Sequence, residues 1–127
     1  MATNHVKGEI NTVDYTAGAT ISSGDVVVLG ATDAKKVRVG VALDDIANGS
    51  IGAVAITGCF KLAKVSAGVI AQGDSVNWDS SASAVDDNAH TTAAGDVSEF
   101  GMADTAAAAT VLFCDVWINE PGTYDAA

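Results

Sequence analysis

Hydrophobic and polar positions along this chain alternate with period two over short stretches, each closed by glycine or a polar turn, as in half-buried β-strands. Residues 10–15 form a first candidate strand, and Val26, Val27, Val28 and Leu29 a second, entered through a turn and ended by Gly30. Residues 36–43 alternate most cleanly, with Val37, Val39, Val41 and Leu43 on one face. After a turn over 44–50, residues 51–62 read as one long strand with Val54, Ile56, Phe60 and Leu62 on one face and Gly58 as a bulge. Strands are also expected over 76–78, 100–103 and 110–118. Residues 79–95, rich in Ser, Ala, Asp and Thr, read as too polar to bury: an exposed loop or a weak hairpin. Residues 105–109 suit a single helical turn or a tight connection, being too few to hold a helix alone.

One motif order occurs twice. Gly24-Asp25-Val26-Val27-Val28-Leu29 resembles Gly73-Asp74-Ser75-Val76-Asn77-Trp78, and Val39-Gly40-Val41-Ala42 resembles Phe100-Gly101-Met102-Ala103. A small-residue turn and a longer strand follow each. Either copy alone is too small to bury a core, so both belong to one domain over residues 9–119, with halves at about 20–64 and 69–118. The expectation is an all-β sandwich or barrel-like domain with an internal duplication and little helix. Composition agrees: Val and Ile number 23 against 6 Leu and Met, and β-branched side chains suit pleated surfaces.

Charge is distributed unevenly. All six basic residues precede residue 65 and are matched there by six acids, so the net −10 belongs to the second half. Such a surface repels phosphate backbones, which excludes nucleic acid as an expected partner. Solubility and attraction to a basic partner surface are both open explanations of the acidity. No apolar run is long enough for a membrane helix, and the first residues lack the apolar stretch of a secretory signal. The chain is therefore expected to begin at Met1, to be made without export and to contact no membrane. Residues 1–8 are polar and carry His5 and Lys7. They read as a flexible arm, with Asn4, His5, Val6 and Lys7 ordering against a partner or a neighbouring copy. Residues 120–127 read as a C-terminal tail.

Catalytic chemistry has little to draw on. His5 and His90 sit beside no nucleophile or ligand cluster, and no phosphate-binding Gly-Lys loop occurs. Cys59 and Cys114 lie within apolar runs, far from any second ligand, and read as buried free thiols. Asp44-Asp45 and Asp79 do not continue into a calcium loop. No enzyme, metal site or cofactor is expected.

Against this background, several stretches resemble one family. They are Ser23-Gly24-Asp25-Val26-Val27, Val39-Gly40-Val41-Ala42, Gly58-Cys59-Phe60-Lys61-Leu62-Ala63-Lys64, Ile70-Ala71-Gln72-Gly73-Asp74-Ser75-Val76-Asn77-Trp78-Asp79 and Phe100-Gly101-Met102-Ala103. Together they look like the small capsid decoration, or cement, proteins of tailed phages, over residues 4–118. Two places depart from the family pattern: the 79–95 stretch, and the last strand, where Asp115 and Asn119 stand in a region often bearing arginine. The resemblance implies a virion protein made in the bacterial host cytoplasm and bound to the outside of the head. It would reinforce contacts between major capsid subunits, with a homotrimer expected. A head-fibre base or tail component, and a small carbohydrate- or peptide-binding barrel, are the alternatives.

Overall fold

The computed structural model describes residues 4–30, 37–89, 93 and 95–119; His90, Lys36, the 120–127 tail and residues 1–3 of the expected arm lie outside them. The described residues form ten strands and no helix. These are β1 (His5–Lys7), β2 (Thr12–Thr16), β3 (Val26–Leu29), β4 (Arg38–Ala42), β5 (Ile51–Ala55), β6 (Cys59–Ala63), β7 (Ser75–Asp79), β8 (Ala84–Asp87), β9 (Val97–Ala103) and β10 (Phe113–Ile118). A four-stranded antiparallel sheet runs β2-β5-β4-β3, and a six-stranded sheet runs β1-β6-β10-β9-β7-β8. The larger sheet curls until Lys64, just past β6, bridges Val85 of β8, so sandwich and barrel features coexist.

The duplication is visible bond by bond. In the first copy Ile21 bridges Ile46, and in the second Ile70 bridges Ala107. Gly24 N–H donates to Ala42 O at 2.8 Å and Gly73 N–H to Ala103 O at 2.9 Å. The Gly-Asp pair has the same local reason in both places. The Asp25 carboxylate accepts the Ser22 N–H and the Asp74 carboxylate the Ala71 N–H, each at 3.0 Å. Both turns need a left-handed residue before the Asp, supplied by Gly24 (φ +90°) and Gly73 (φ +86°). Val27 then pairs with Gly40 as Val76 pairs with Gly101. At both glycines a side chain would collide: a Cβ on Gly40 would lie 2.9 Å from Val54 Cγ2, and one on Gly101 2.5 Å from the Trp117 carbonyl oxygen.

The strand-by-strand match moves the expected boundary. Residues 51–62 are not one strand but two, β5 and β6, parted at Gly58 (φ +117°) where the chain leaves one sheet for the other. Strand β6 pairs with β10 as β2 pairs with β5, so it opens the second copy instead of closing the first. The copies are thus β2-β3-β4-β5 and β6-β7-β9-β10, with β1 and β8 added at the two edges of the second. Of the two readings of 79–95 the hairpin is the one found, with β8 antiparallel to β7, but the stretch is not too polar to bury: Ala84 and Val85 are buried, because pairing with β7 satisfies their backbone.

The copies stack in the same sense. Val27, Ala42 and Val54 lie on the face of the small sheet turned away from the large one, beneath Ala17, Ile21 and Ile46, in a satellite core. Their counterparts Val76, Ala103 and Val116 instead lie in the main core between the sheets, with Ile70 and Ala107. The opposite face of the small sheet (Val39, Val41, Ala55) closes that main core against Phe60, Leu62, Trp78 and Phe100. The matching face of the second copy looks outward, and it carries Met102 and Trp117 where the first has Val41 and Ala55. Asn119 pins the end of this stack. Its amide donates to Val39 O (2.9 Å) and Ile56 O (2.8 Å), and its oxygen accepts the Val39 N–H (3.0 Å).

Candidate interaction surface

Among the described residues no group of three or more His, Cys, Asp or Glu side chains could hold a metal ion. Burial pushes the Cys59 thiol up to about 12 and the Cys114 thiol up to about 11, so both stay protonated and inert at neutral pH. What the fold offers instead is surface: strand edges, exposed apolar residues at one end and a cleft.

The residues expected in a flexible arm form β1, antiparallel to β6 at the edge of the large sheet. Sequence reasoning missed this because the attachment comes from distant residues, not from apolar periodicity. Asn4 O accepts the Lys61 N–H at 2.9 Å, and Asn4 Nδ2 donates to Gly24 O at 3.1 Å. The His5 ring lies 5.3 Å from that of Phe60. Lys7 Nζ meets Asp104 Oδ2 at 2.9 Å, and Trp117 Nε1 donates to Asp104 Oδ1 at 3.0 Å. These two bonds hold the Asp104 carboxyl below its usual range, and the carboxylate in turn raises Lys7. Gly8 then passes so close to the Trp117 ring that a Cβ would lie 2.5 Å from it. Asn4, His5, Val6 and Lys7 are therefore brought together as an edge, with Val6 43% exposed. The edge is irregular, since the register shifts between His5 and Lys7.

Behind β1 lies a cleft of about 280 Å³ between the sheets, lined by Asn4, Gly24, Val26, Lys61, Trp78 and Ser83. Asn4 Oδ1 is buried there with no hydrogen-bond partner among the described residues.

An apolar end of the second copy is the other feature. Backbone bonds from Lys64 N–H to Leu112 O, Thr110 N–H to Ser66 O and Ile70 N–H to Ala107 O bind the 64–70 loop to the 107–112 connection. That junction exposes Val69, Val111 and Leu112, and Phe113 follows at 52% exposure. Lys61 Nζ sits 5.4 Å from the Phe113 ring centroid. Beneath it, Lys64 is only 3% exposed, and its ammonium donates to Val65 O (2.8 Å) and Val111 O (3.1 Å). Val69 on one segment and Val111, Leu112 and Phe113 on the other are exposed large apolar residues, the kind that a protein contact covers. Only the last strand was legible in advance; the bonding of its approach to the 64–70 loop is tertiary.

Residues 6–118, which span nearly all ten strands, match the family model described as phage cement protein. No curated protein matches the chain.

Proposed function

The chain belongs to the phage cement protein family, a structural family associated with the phage capsid, and on that premise we propose that it binds the outer surface of the head and stabilises contacts between major capsid subunits. The match across residues 6–118 carries this reading. The surface supports it: Val69, Val111, Leu112 and Phe113 give an apolar contact on an otherwise acidic molecule, and the β1 edge lies on the same sheet. Asn4, His5, Val6 and Lys7 contact the capsid or a neighbouring copy from that edge, presented as a fixed strand and not as a free arm. The working assembly is a homotrimer, consistent with cementing three surrounding subunits at once.

The test mixes purified protein with undecorated heads and measures saturable binding by sedimentation, with electron microscopy locating the density. Saturation at regular outer positions is the expected result, and Leu112→Asp weakens it while leaving the melting temperature near that of the wild type. Absence of binding to heads, or density confined to the tail, overturns the reading.

A further inference from the structure

The duplicated sheets share a frame but differ at one edge. In the second copy the outer edge of β6 is covered by β1 and by Asn4 just before it, whose O takes the outward-pointing Lys61 N–H. In the first copy the counterpart of Lys61 is Asp14: Asp14 faces Ala53 as Lys61 faces Asp115. Among the described residues no strand lies beyond β2.

Alternation along β2 identifies the groups turned outward. Asn11 O accepts the Ile56 N–H, while Ala17 N–H donates to Ser50 O and Ala17 O accepts the Gly49 N–H. Residues 11, 13, 15 and 17 thus address β5, and Thr12, Asp14 and Thr16 address the open side. The edges of the large sheet are less suited to pairing, and β3, the other edge of the small sheet, is one residue shorter and carries no acidic side chain. Strand β1 is three residues long with a register shift, and β8 is bridged by Lys64 and Val65. Strand β2 has five residues in unbroken register, with β-branched Thr12, Val13 and Thr16 and no lysine or proline to block addition. Asp14 and the nearby Glu9 are exposed and give this edge a negative charge.

We infer that the outer edge of β2 is a strand-addition site for an extended, lysine- or arginine-bearing segment of a capsid subunit. It takes the place on the first copy that β1 occupies on the second. Main-chain bonds to Thr12, Asp14 and Thr16 hold the segment, and a basic side chain opposite Asp14 sets its register. A second copy's β2 is the poorer occupant, because antiparallel self-pairing would bring the Asp14 carboxylates together. The inference rests on the capsid reading above and deepens it.

Asp14→Pro removes one outward N–H and leaves the β2–β5 ladder intact, as proline is tolerated on an edge strand when its N–H faces solvent. Asp14→Lys keeps the N–H and reverses the charge, so it decides the matter if the proline variant fails to fold. With undecorated heads as the probe, each variant is expected to bind about tenfold more weakly than wild type. Amide exchange of the 9–17 peptide in wild type should slow on head binding. Wild-type affinity in both variants, or no added protection of that peptide, overturns the inference while the capsid reading stands. A wild-type dimer lost in Asp14→Pro without change in head binding also overturns it, assigning the edge to a second copy. Failure of wild type to bind heads removes the capsid reading, and the occupant with it.

Discussion

The duplication supplies a stability experiment with its own control, at the turn before the last strand of each copy. In the first copy Gly49 has φ +83° and its N–H donates to Ala17 O at 2.8 Å; in the second Thr110 has φ +75° and its N–H donates to Ser66 O at 2.7 Å. Holding a β-branched residue in the left-handed region costs about 1–2 kcal/mol. Replacing it with glycine relieves that strain but returns about 0.5–1 kcal/mol of freedom to the unfolded chain. Thr110 is exposed, so its side chain contributes little packing that would be lost. Thr110→Gly should therefore stabilise the fold by about 0.5–1 kcal/mol, raising the melting temperature by roughly 2–4 °C at this chain length. Gly49→Thr should shift it by a similar amount in the opposite direction, since a Cβ there meets nothing within 4 Å. Thermal and denaturant unfolding followed by circular dichroism would measure both. A destabilised Thr110→Gly beside a neutral Gly49→Thr would refute the strain argument.

The same frame yields further expectations. Gly101→Ala should cost more than Gly40→Ala in denaturant titrations, because the new methyl meets a backbone carbonyl at Gly101 but a movable Val54 side chain at Gly40. Asn119→Ala removes three hydrogen bonds joining Val39 and Ile56 to the end of β10, and should cost about 3 kcal/mol by the same assay. Ellman's reagent at pH 8 should leave both thiols untouched in the folded protein and titrate two after unfolding. Each thiol's folded pKa lies above its unfolded value, so stability should fall as pH rises from about 8.5, the unfolded thiol's range, toward about 11. For Asp104 the sign reverses: its folded pKa is lowered, so its support for β1 is present above the unfolded carboxylate range and lost as pH falls through the folded value. Protection of the Val6 and Lys7 amides, taken relative to the unfolded exchange rate at each pH, should fall in acid, and should already be low at neutral pH in Asp104→Asn.

Patterns that depend on near neighbours were readable from the residues. The Gly-Asp turns, the alternating valines of β4 and the buried cysteines all follow from spacing and side-chain type, and the structure places them accordingly. Features decided by distant partners were not readable. The sheet change at Gly58 splits an apolar run that is continuous in sequence. Residues 84–87 pair with β7 although their surroundings are polar. A β-bulge places Glu99 at φ +49°, its N–H donating to Asn77 Oδ1 at 2.7 Å, and no motif announces it. The candidate surface divides similarly. Val111 to Phe113 are visibly apolar at a strand start, but the bonding of 107–112 to the loop that carries Val69 is set by distant backbone groups.

The attachment of β1 also sets an order of events in time. Of the ten described strands β1 is the first to leave the ribosome, yet it has only three residues and no stability alone. Strand β6, its pairing partner, is synthesised near mid-chain, while Asp104 and Trp117, which grip Lys7 and flank Gly8, emerge close to the end. The small sheet can assemble from residues 12–55 while the ribosome is still extending the chain. The first of the ten strands must wait until the tenth has been laid down. Closing β1 therefore completes the ten-stranded fold, and a nascent chain stalled before Asp104 should leave residues 4–8 open to protease while β2–β5 is already protected.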